Sequence, residues 1–376
     1  MFSLALREVG RAKLRFGLLC AAVGLLVFLI LFQQALLNGL VKDFIGAVEN
    51  QDSPILVFNE QARSNVEGSF LLPDQVAAIA AVDGVADSTP IGENTFTVAT
   101  AAGAETQDAV LFGYSLGGLG EPTRLDGGRL PAAPFEVVAT SADAALGFDI
   151  GEQVTVLGET DDVVLTVVGS LDQSRWSVAP TLFGSYETFE AAARVVNPNA
   201  PFVLPALVAV RPASGVDADE LTDRLDAEVG GIEALTNAEA VAQNPGVQGV
   251  SQSFNIILGL AFVVVTIVVG FFFLILTVQK ARSLTLLRAI GAPRGWLVRN
   301  LMAQIALVMA VGALIGVILS ALVIYVAPTG DLTISLNPVT VISTILGLSI
   351  LAYLGGIASI RRVLRIDPIE AVAGTG

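Results

Sequence analysis

The chain has 376 residues and a formal net charge of −15, and 53% of its residues are apolar while only 15% are charged. Soluble domains carry about a quarter charged residues, so this composition argues against an ordinary soluble protein. The sequence contains no histidine, which removes the commonest general base and the commonest zinc ligand. Cys20 is the single cysteine, so no disulfide framework can form within the chain.

Four apolar stretches account for the low charge: residues 16–40, 254–278, 301–327 and 339–360. A helix needs about 20 apolar residues to cross the bilayer core, and inside lipid only helices or closed barrels satisfy their backbone polar groups. A buried core helix could explain one such stretch, but not four of this length. We therefore predict a membrane α-helical fold with four transmembrane helices.

The first apolar stretch could instead be a cleaved signal peptide. Its apolar run is longer than the core of a signal peptide, and Gln33, Gln34 and Asn38 stand where the small residues of a cleavage site are expected. The sequence therefore predicts an uncleaved membrane anchor.

Basic residues are concentrated near the ends of the apolar stretches, on one side of the predicted membrane. Twelve of the 20 Lys and Arg residues lie there: Arg7, Arg11, Lys13, Arg15, Lys280, Arg282, Arg288, Arg294, Arg299, Arg361, Arg362 and Arg365. The positive-inside rule makes this side cytoplasmic, so both termini are predicted to lie inside and residues 41–250 outside. The outer segment carries 8 basic and 31 acidic residues, so nucleic-acid binding is not expected. Its carboxylates either keep the surface solvated or bind cations.

These assignments predict a multi-pass protein of the cytoplasmic (plasma) membrane. Its predicted segments are a cytoplasmic amphipathic helix (1–15), a first transmembrane helix (16–40), an extracytoplasmic α+β domain (41–250), a second transmembrane helix (254–278), a cytoplasmic coupling loop (279–299), a third transmembrane helix (301–327), a short outer loop (328–338), a fourth transmembrane helix (339–360) and a cytoplasmic tail (361–376).

Within residues 41–250, short strand and helix signals alternate, which indicates an inserted α+β domain. The predicted strands are 54–58, 95–100, 109–112, 136–139, 153–157, 163–168 and 207–210, of which the fifth and sixth form a hairpin. The predicted helices are Pro73–Ala81, Ser141–Leu146 with Ser141 as its N-cap, 186–195 and 218–229. Residues 117–128 and 197–205 are predicted loops, and 237–253 a helical stalk or hinge.

Two features of the sequence argue against catalysis by this chain alone. Residues 113–117 match the nucleophile-elbow pattern G-x-S-x-G around Ser115, but without histidine no Ser-His-Asp triad can form. The phosphate-binding pattern G-x-x-x-x-G-K-[ST] is absent, so the chain has no P-loop, and if ATP drives it, that ATP must bind to another polypeptide. We predict no resident cofactor or metal and no catalytic residues.

The cytoplasmic loop after the second stretch has an amphipathic pattern. Leu284 and Leu287 recur at helical spacing, Arg282 and Arg288 punctuate the polar side, and Gly291 supplies a stop signal before Pro. The pattern predicts a short amphipathic helix ending at Gly291. This helix either lies on anionic lipid or docks a cytoplasmic partner, and periodicity alone does not choose between them.

The segment from Arg282 to Arg294, which reads R-x-x-x-L-L-R-A-I-G-A-x-R, resembles the coupling segment of MacB/FtsX-like permeases, also called type VII ABC transporter permeases. Residues 4–16, the glycine-containing motifs between 128 and 169, and the ending 366–372 (IDPIEAV) are similar to other parts of that family. Ser283 and Thr285 depart from the Glu and Gly that the family often has.

The resemblance implies a homodimeric permease that docks two copies of a P-loop ATPase, which holds ATP and Mg²⁺. The residues implied to couple to the ATPase are Arg282, Leu284, Leu287, Arg288, Gly291, Ala292, Arg294, Asp367 and Pro368. Two copies are expected to pair through their first and second spans, surrounded by membrane lipid.

Residues 13–16 (KLRF), 271–279 (FFFLILTVQ) and 367–372 (DPIEAV) resemble the haem-efflux permeases of Gram-positive bacteria. This narrower resemblance implies haem as a hydrophobic substrate and points to Lys42 and Trp176 as substrate contacts. Gln33, Gln34 and Asn38 are costly polar groups at the outer end of the first span. They either hydrogen-bond between helices or line a lateral entrance for an amphipathic substrate.

Two alternatives remain open at the level of sequence. The cargo could be another lipophile, such as a lipid or drug. The permease could instead move no substrate and transmit ATP-driven motion to an external protein such as a cell-wall hydrolase. Gly259, Gly270, Gly312 and Gly316 are predicted to permit close helix packing.

Overall fold

The computed structural model describes residues 13–100, 106–289, 293–326 and 337–364. The chain divides into two compact units. The membrane unit comprises Met1–Asn38, Ser253–Pro328 and Ile334–Gly376, and the outer unit comprises Gly39–Gln252 and Thr329–Thr333.

The described residues form eight α-helices and ten strands, numbered here in chain order. The helices are α1 (Lys13–Glu49), α2 (Pro73–Ala81), α3 (Tyr186–Val196), α4 (Ala218–Glu228), α5 (Asn237–Gln243), α6 (Pro245–Ala289), α7 (Arg294–Val326) and α8 (Pro338–Leu364). The strands are β1 (Ile55–Asn59), β2 (Val85–Thr100), β3 (Gln107–Tyr114), β4 (Leu125–Gly128), β5 (Glu136–Thr140), β6 (Gln153–Val156), β7 (Val163–Leu171), β8 (Thr181–Ser185), β9 (Leu207–Pro212) and β10 (Ile232–Thr236).

Three helical segments among the described residues are long and apolar enough to cross a membrane: Phe16–Glu49, Pro245–Phe271 and Met302–Val326. The predicted fourth span falls in α8, whose segment Pro338–Leu354 is a shorter apolar helix. The predicted cytoplasmic helix 1–15 and tail 361–376 lie mostly outside the described residues.

The segment after the second span differs from its prediction. Instead of a separate short amphipathic helix ending at Gly291, the structure has one helix that continues from Pro245 to Ala289. Residues 279–289 contain good helix formers and neither Gly nor Pro, so no stop signal separates the span from this segment. Gly291 itself lies outside the described residues.

Glycines bring α1 and α7 close together in the membrane unit. A Cβ atom on Gly312 would lie 2.5 Å from Val23 Cγ1, and one on Gly316 would lie 2.6 Å from Val27 Cγ1. Only glycine fits at this spacing, which confirms the close packing predicted for these two residues. Beyond its own helix, Gly259 has no atom within 4 Å of such a Cβ among the described residues, and the same holds for Gly270.

The strands of the outer unit pair in the order β10-β1-β9-β2-β3-β8-β5-β7-β4. The first half of β2 pairs with β9 in an open sheet, and its second half pairs with both β3 and β6. Because β6 also pairs with β7, the ring β2-β3-β8-β5-β7-β6 closes on itself. We call this ring the barrel; closing removes the free edges that an open sheet would leave.

The open sheet is buried on both faces, which explains the uninterrupted apolar strands β1 and β9. Alternate residues of a strand point to opposite faces. Ile55 and Val57 pack with the residues of α2 and α4, whereas Leu56 and Phe58 pack in the cluster that contains Ile45 of α1. The last turns of α1 therefore form part of the core of the outer unit.

Most predicted elements of the outer unit are confirmed. Helix α2 has the predicted bounds, and the hairpin is the antiparallel pair β6–β7. The Ser141 N-cap prediction is wrong, because the 3₁₀ helix Ser141–Leu146 is preceded by Thr140 as N-cap without a side-chain capping bond. The predicted loop 117–128 ends in β4, which pairs with β7. Strands β8 and β10 have no counterpart among the predictions.

Candidate substrate and coupling sites

Two glutamines of α1 hydrogen-bond to other helices of the membrane unit. Gln33 Nε2 donates to the carbonyl oxygen of Phe254 on α6 at 3.2 Å. Gln34 Oε1 accepts from Thr344 Oγ1 on α8 at 2.8 Å. Unsatisfied polar groups are costly in lipid, so these bonds give both side chains a structural reason to be there. Asn38, one turn further along α1, is half-buried.

Lys42 lies on the part of α1 that belongs to the outer unit. Its Nζ donates to Gln173 Oε1 at 2.7 Å, and the side chain is half-buried. The ammonium group is therefore already held by a neutral acceptor.

Trp176 lies in the core of the outer unit, with 3% of its surface exposed. Its ring packs edge-on against Phe112 of β3, with ring centroids 5.9 Å apart. The indole Nε1 is buried without a hydrogen-bond partner among the described residues.

Lys42 and Trp176 belong to two segments that contact each other, α1 and residues 172–179. We call residues 172–179 the clamp loop.

A buried ion pair that the sequence did not reveal joins the clamp loop to the 3₁₀ helix Ser141–Leu146, which directly follows β5 of the barrel. Arg175 Nη2 pairs with Asp143 Oδ1, and Arg175 Nε donates to Asp143 Oδ2 at 3.3 Å. Their side chains are 4% and 1% exposed. Buried charges are tolerated when they are paired and hydrogen-bonded. These two residues are 32 positions apart, and neither carries a local sequence signal of burial.

The residues predicted to couple to an ATPase fall at the junction of α6 and α7. Arg282, Leu284, Leu287 and Arg288 lie in the last turns of α6, and Arg294 is the first residue of α7. The remaining predicted coupling residues, Gly291, Ala292, Asp367 and Pro368, lie outside the described residues. The 45 residues of α6 extend about 68 Å at 1.5 Å per residue.

Two carboxyl groups of the outer unit, Glu93 and Glu136, have clearly shifted pKa values. Burial and the nearby charge of Glu67 raise the pKa of Glu93 to about 8. The hydrogen bond from Arg129 lowers the pKa of Glu136 to about 2. Within the described residues, no group of three or more His, Cys, Asp or Glu side chains could hold a metal ion. Ser115, of the G-x-S-x-G match, is exposed in the turn after β3.

Long apolar helices with a folded α+β unit inserted after the first of them define a multi-pass membrane protein with a large domain outside the bilayer. The family described as "MacB-like periplasmic core domain" matches residues 17–228, and "FtsX-like permease C-terminal" matches residues 255–368. The chain belongs to the MacB/FtsX-like family of ABC transporter permeases. Such permeases are the non-catalytic plasma-membrane subunits of ABC transporters, whose ATPase is a separate subunit.

Similar proteins span the whole chain. An uncharacterized ABC transporter permease of Mycobacterium tuberculosis (strain H37Rv) is 25% identical over 378 residues, covering 100% of both chains. A protein of Staphylococcus haemolyticus, whose name describes a hemin transport system permease (HrtB), is 22% identical over 378 residues, covering 99% of both.

Two solved structures are similar to part of the chain. The extracellular domain of the transporter YknZ from Gram-positive bacteria is 13% identical, with a TM-score of 0.35, and the match covers 48% of this chain and 99% of that domain. The periplasmic region of MacB from Actinobacillus actinomycetemcomitans is 16% identical, with a TM-score of 0.34, and the match covers 50% of this chain and 90% of that region.

Proposed function

We propose that this permease exports a hydrophobic substrate from the membrane, with haem as the first candidate, in a type VII complex driven by a separate ATPase. The observation that carries the proposal is the continuity of α1 and α6. Each is one unbroken helix with residues in both the membrane unit and the outer unit. A rigid helix of this kind transmits a movement made at one end to the other end. Haem is favoured by the name of the staphylococcal relative.

The working complex consists of two permeases and two ATPase subunits, with both permease termini in the cytoplasm. Exposed apolar side chains cover much of α6, and one set of them recurs at helical spacing in a stripe that suits pairing with a second copy. They include Ile256, Leu260, Val263, Ile267 and Phe271, each more than half exposed within this chain. A similar stripe on α1 contains Leu18, Leu25 and Leu29.

The substrate enters beside α1. The hydrogen bonds of Gln33 and Gln34 join α1 to α6 and α8 in the present state. When α1 moves, these amides lose their partners and become available to the polar edge of an amphipathic substrate. Asn38 and Lys42 continue the same helix and extend this polar path, whereas buried Trp176 contributes only if the clamp loop moves.

The test is ATP hydrolysis by the permease reconstituted with its partner ATPase in proteoliposomes, titrated first with haem and then with unrelated lipophilic compounds. Stimulation that saturates with haem alone is the expected result. Replacing Gln33 by Leu should weaken the stimulation while leaving the rate without haem unchanged. Leu36→Gln, the reverse replacement at a neighbouring half-buried residue, provides a polarity control on the same helix.

Other outcomes would change the cargo and keep the architecture. Stimulation by lipid or drug, with indifference to haem, would make the protein an exporter of that lipophile. A rate that changes only when an extracytoplasmic protein is added would identify a subunit that transmits motion and moves no substrate.

A further inference from the structure

The clamp loop contacts the outer end of α1 through its backbone. The N–H of Ala47 donates to the carbonyl oxygen of Arg175 at 2.9 Å. In the opposite direction, the N–H groups of Ser177 and Val178 donate to the carbonyl oxygens of Phe44 and Asp43, at 3.0 and 2.9 Å. Ala47 has a single N–H, so its bond to Arg175 competes with the bond that a regular helix makes to residue i−4. The loop therefore joins the hydrogen-bonding pattern of the helix itself.

Two residues of α1 and the turn after it fit the clamp loop closely. A Cβ atom on Gly46 would collide with the carbonyl oxygen of Gln173, so only glycine allows this approach. Asn50 Nδ2 donates to the same carbonyl oxygen at 2.6 Å, while its Oδ1 accepts from Arg124 Nε at 2.7 Å. The Gln173 carbonyl is thus fixed against α1 from two directions.

The loop is held in an unfavourable backbone conformation. Gln173, Ser177 and Val178 have φ angles of 49°, 52° and 61°. Positive φ is uncommon for residues other than glycine and is least favourable for a β-branched residue such as valine. Such residues persist only where the surrounding contacts determine them, and they cluster at functional sites. Here the contacts are the α1 backbone on one side and the buried Arg175–Asp143 pair on the other.

Helix α1 is connected to both parts of the outer unit, the open sheet and the barrel. Through the chain itself, α1 leads into β1, which belongs to the open sheet. The clamp loop joins β7 to β8, which are both strands of the barrel. The helix is therefore attached covalently to the open sheet and through the clamp loop to the barrel.

We infer that the clamp loop is the joint through which ATP-driven movement of α1 reaches the barrel, with Gly46, Asn50 and Arg175 as its positioning residues. This inference rests on the proposed function only in requiring that ATP hydrolysis moves α1. It does not depend on which substrate is exported.

Hydrogen exchange on the full permease–ATPase complex in nanodiscs, with and without ATP and vanadate, tests the joint. In the wild type we expect ATP to change exchange in α1, in the clamp loop and in barrel strands β3 and β7. In Gly46→Ala the barrel change should fall several-fold, while the change in α1 persists. In this variant the added Cβ should also break one hydrogen bond between α1 and the clamp loop. The loss of about 1 kcal/mol should raise hydrogen exchange in the clamp loop about five-fold in the absence of ATP. Gly17→Ala is the matched control, because beyond its own helix a Cβ there meets no atom within 4 Å among the described residues.

Asn50→Asp provides a second variant that leaves Gly46 in place. It retains an oxygen acceptor for Arg124 and replaces the donor to Gln173 with an oxygen that repels the carbonyl. We expect the same loss of the barrel response. A barrel response at the wild-type level in both variants, with clamp-loop exchange raised, would overturn the inference, as would a wild-type barrel that does not respond to ATP. Failure of haem to stimulate hydrolysis would overturn the proposed cargo and leave this result standing.

Discussion

Glu93 is a partly buried carboxyl on β2, opposite Phe112 in the pairing with β3. Burial and the charge of Glu67 raise its pKa from 4.5 to about 8. A group whose pKa is higher in the folded state binds protons more tightly there than in the unfolded chain. Its contribution to stability is therefore complete below pH 4.5 and is lost as the pH rises through about 8.

We predict that Glu93→Gln removes the loss of folding stability that the wild type shows at high pH. The variant should match the wild type near pH 5 and exceed it by about 1 to 3 kcal/mol in the free energy of unfolding near pH 9. Thermal unfolding of the full chain in detergent across this pH range measures the difference. Glu159→Gln, at an exposed turn residue, controls for the loss of a negative charge from an acidic domain. A difference between Glu93→Gln and wild type that does not vary with pH would contradict the assignment.

Some of the residues that matter in this fold are predictable from the sequence, and others are not. The glutamines of α1 were recognisable because polar residues interrupt an apolar stretch, and Gly312 and Gly316 because of their spacing. Asp143 and Arg175 were not recognisable, because acidic and basic residues are ordinarily exposed and only the fold brings these two together. Nothing in the local sequence distinguishes Gly46 from other glycines, because its close contact is with the clamp loop, which is distant in the chain.

At the scale of elements, prediction succeeded where the signal is local. Helix α2 begins with proline at its first turn, and the β6–β7 hairpin has two apolar runs joined by a polar turn. Strand β8 is buried along all five residues and pairs in parallel with β3, more than 60 residues earlier in the chain. Its short sequence has no alternation, so no local pattern distinguished it from a loop.

The packing of α1 against α7 supports a prediction about an element. Gly316→Leu should separate the two helices, because a Cβ at that position already lies 2.6 Å from Val27 Cγ1. Overpacking of this kind costs about 1 to 3 kcal/mol, so the variant should unfold at a lower temperature in detergent. Gly17→Leu places the same side chain at a position of α1 where a Cβ meets no atom within 4 Å among the described residues, so it should change little. Equal stability of the two variants would show that the helices do not pack through Gly316.

At the scale of the whole molecule, the charge distribution and the long helices suit a movement that starts at the basic end of α6 and passes along this helix. Basic residues cluster at the junction of α6 and α7, while the segment 41–250 is strongly acidic. A partner that binds the basic end acts on α6, a single helix of 45 residues that ends at Ala289. Sequence periodicity left membrane lipid and an ATPase as alternative partners for this segment, and the family membership of the chain favours the ATPase.

Reversing one charge at this junction tests the assignment. We predict that Arg288→Glu weakens binding of the partner ATPase at least about 30-fold, because removing one partner of a desolvated charge pair costs about 2 kcal/mol or more. Hydrolysis by the complex should lose its response to the permease, while membrane insertion and the amount of folded permease remain unchanged. Arg299→Glu makes the same charge reversal at an exposed position of α7; Arg299 ends the predicted coupling loop but is not one of the residues implied to contact the ATPase. If both variants weaken binding equally, the basic cluster acts through its overall charge. If Arg288→Glu binds and couples like the wild type, the docking surface lies elsewhere and the last turns of α6 rest on lipid.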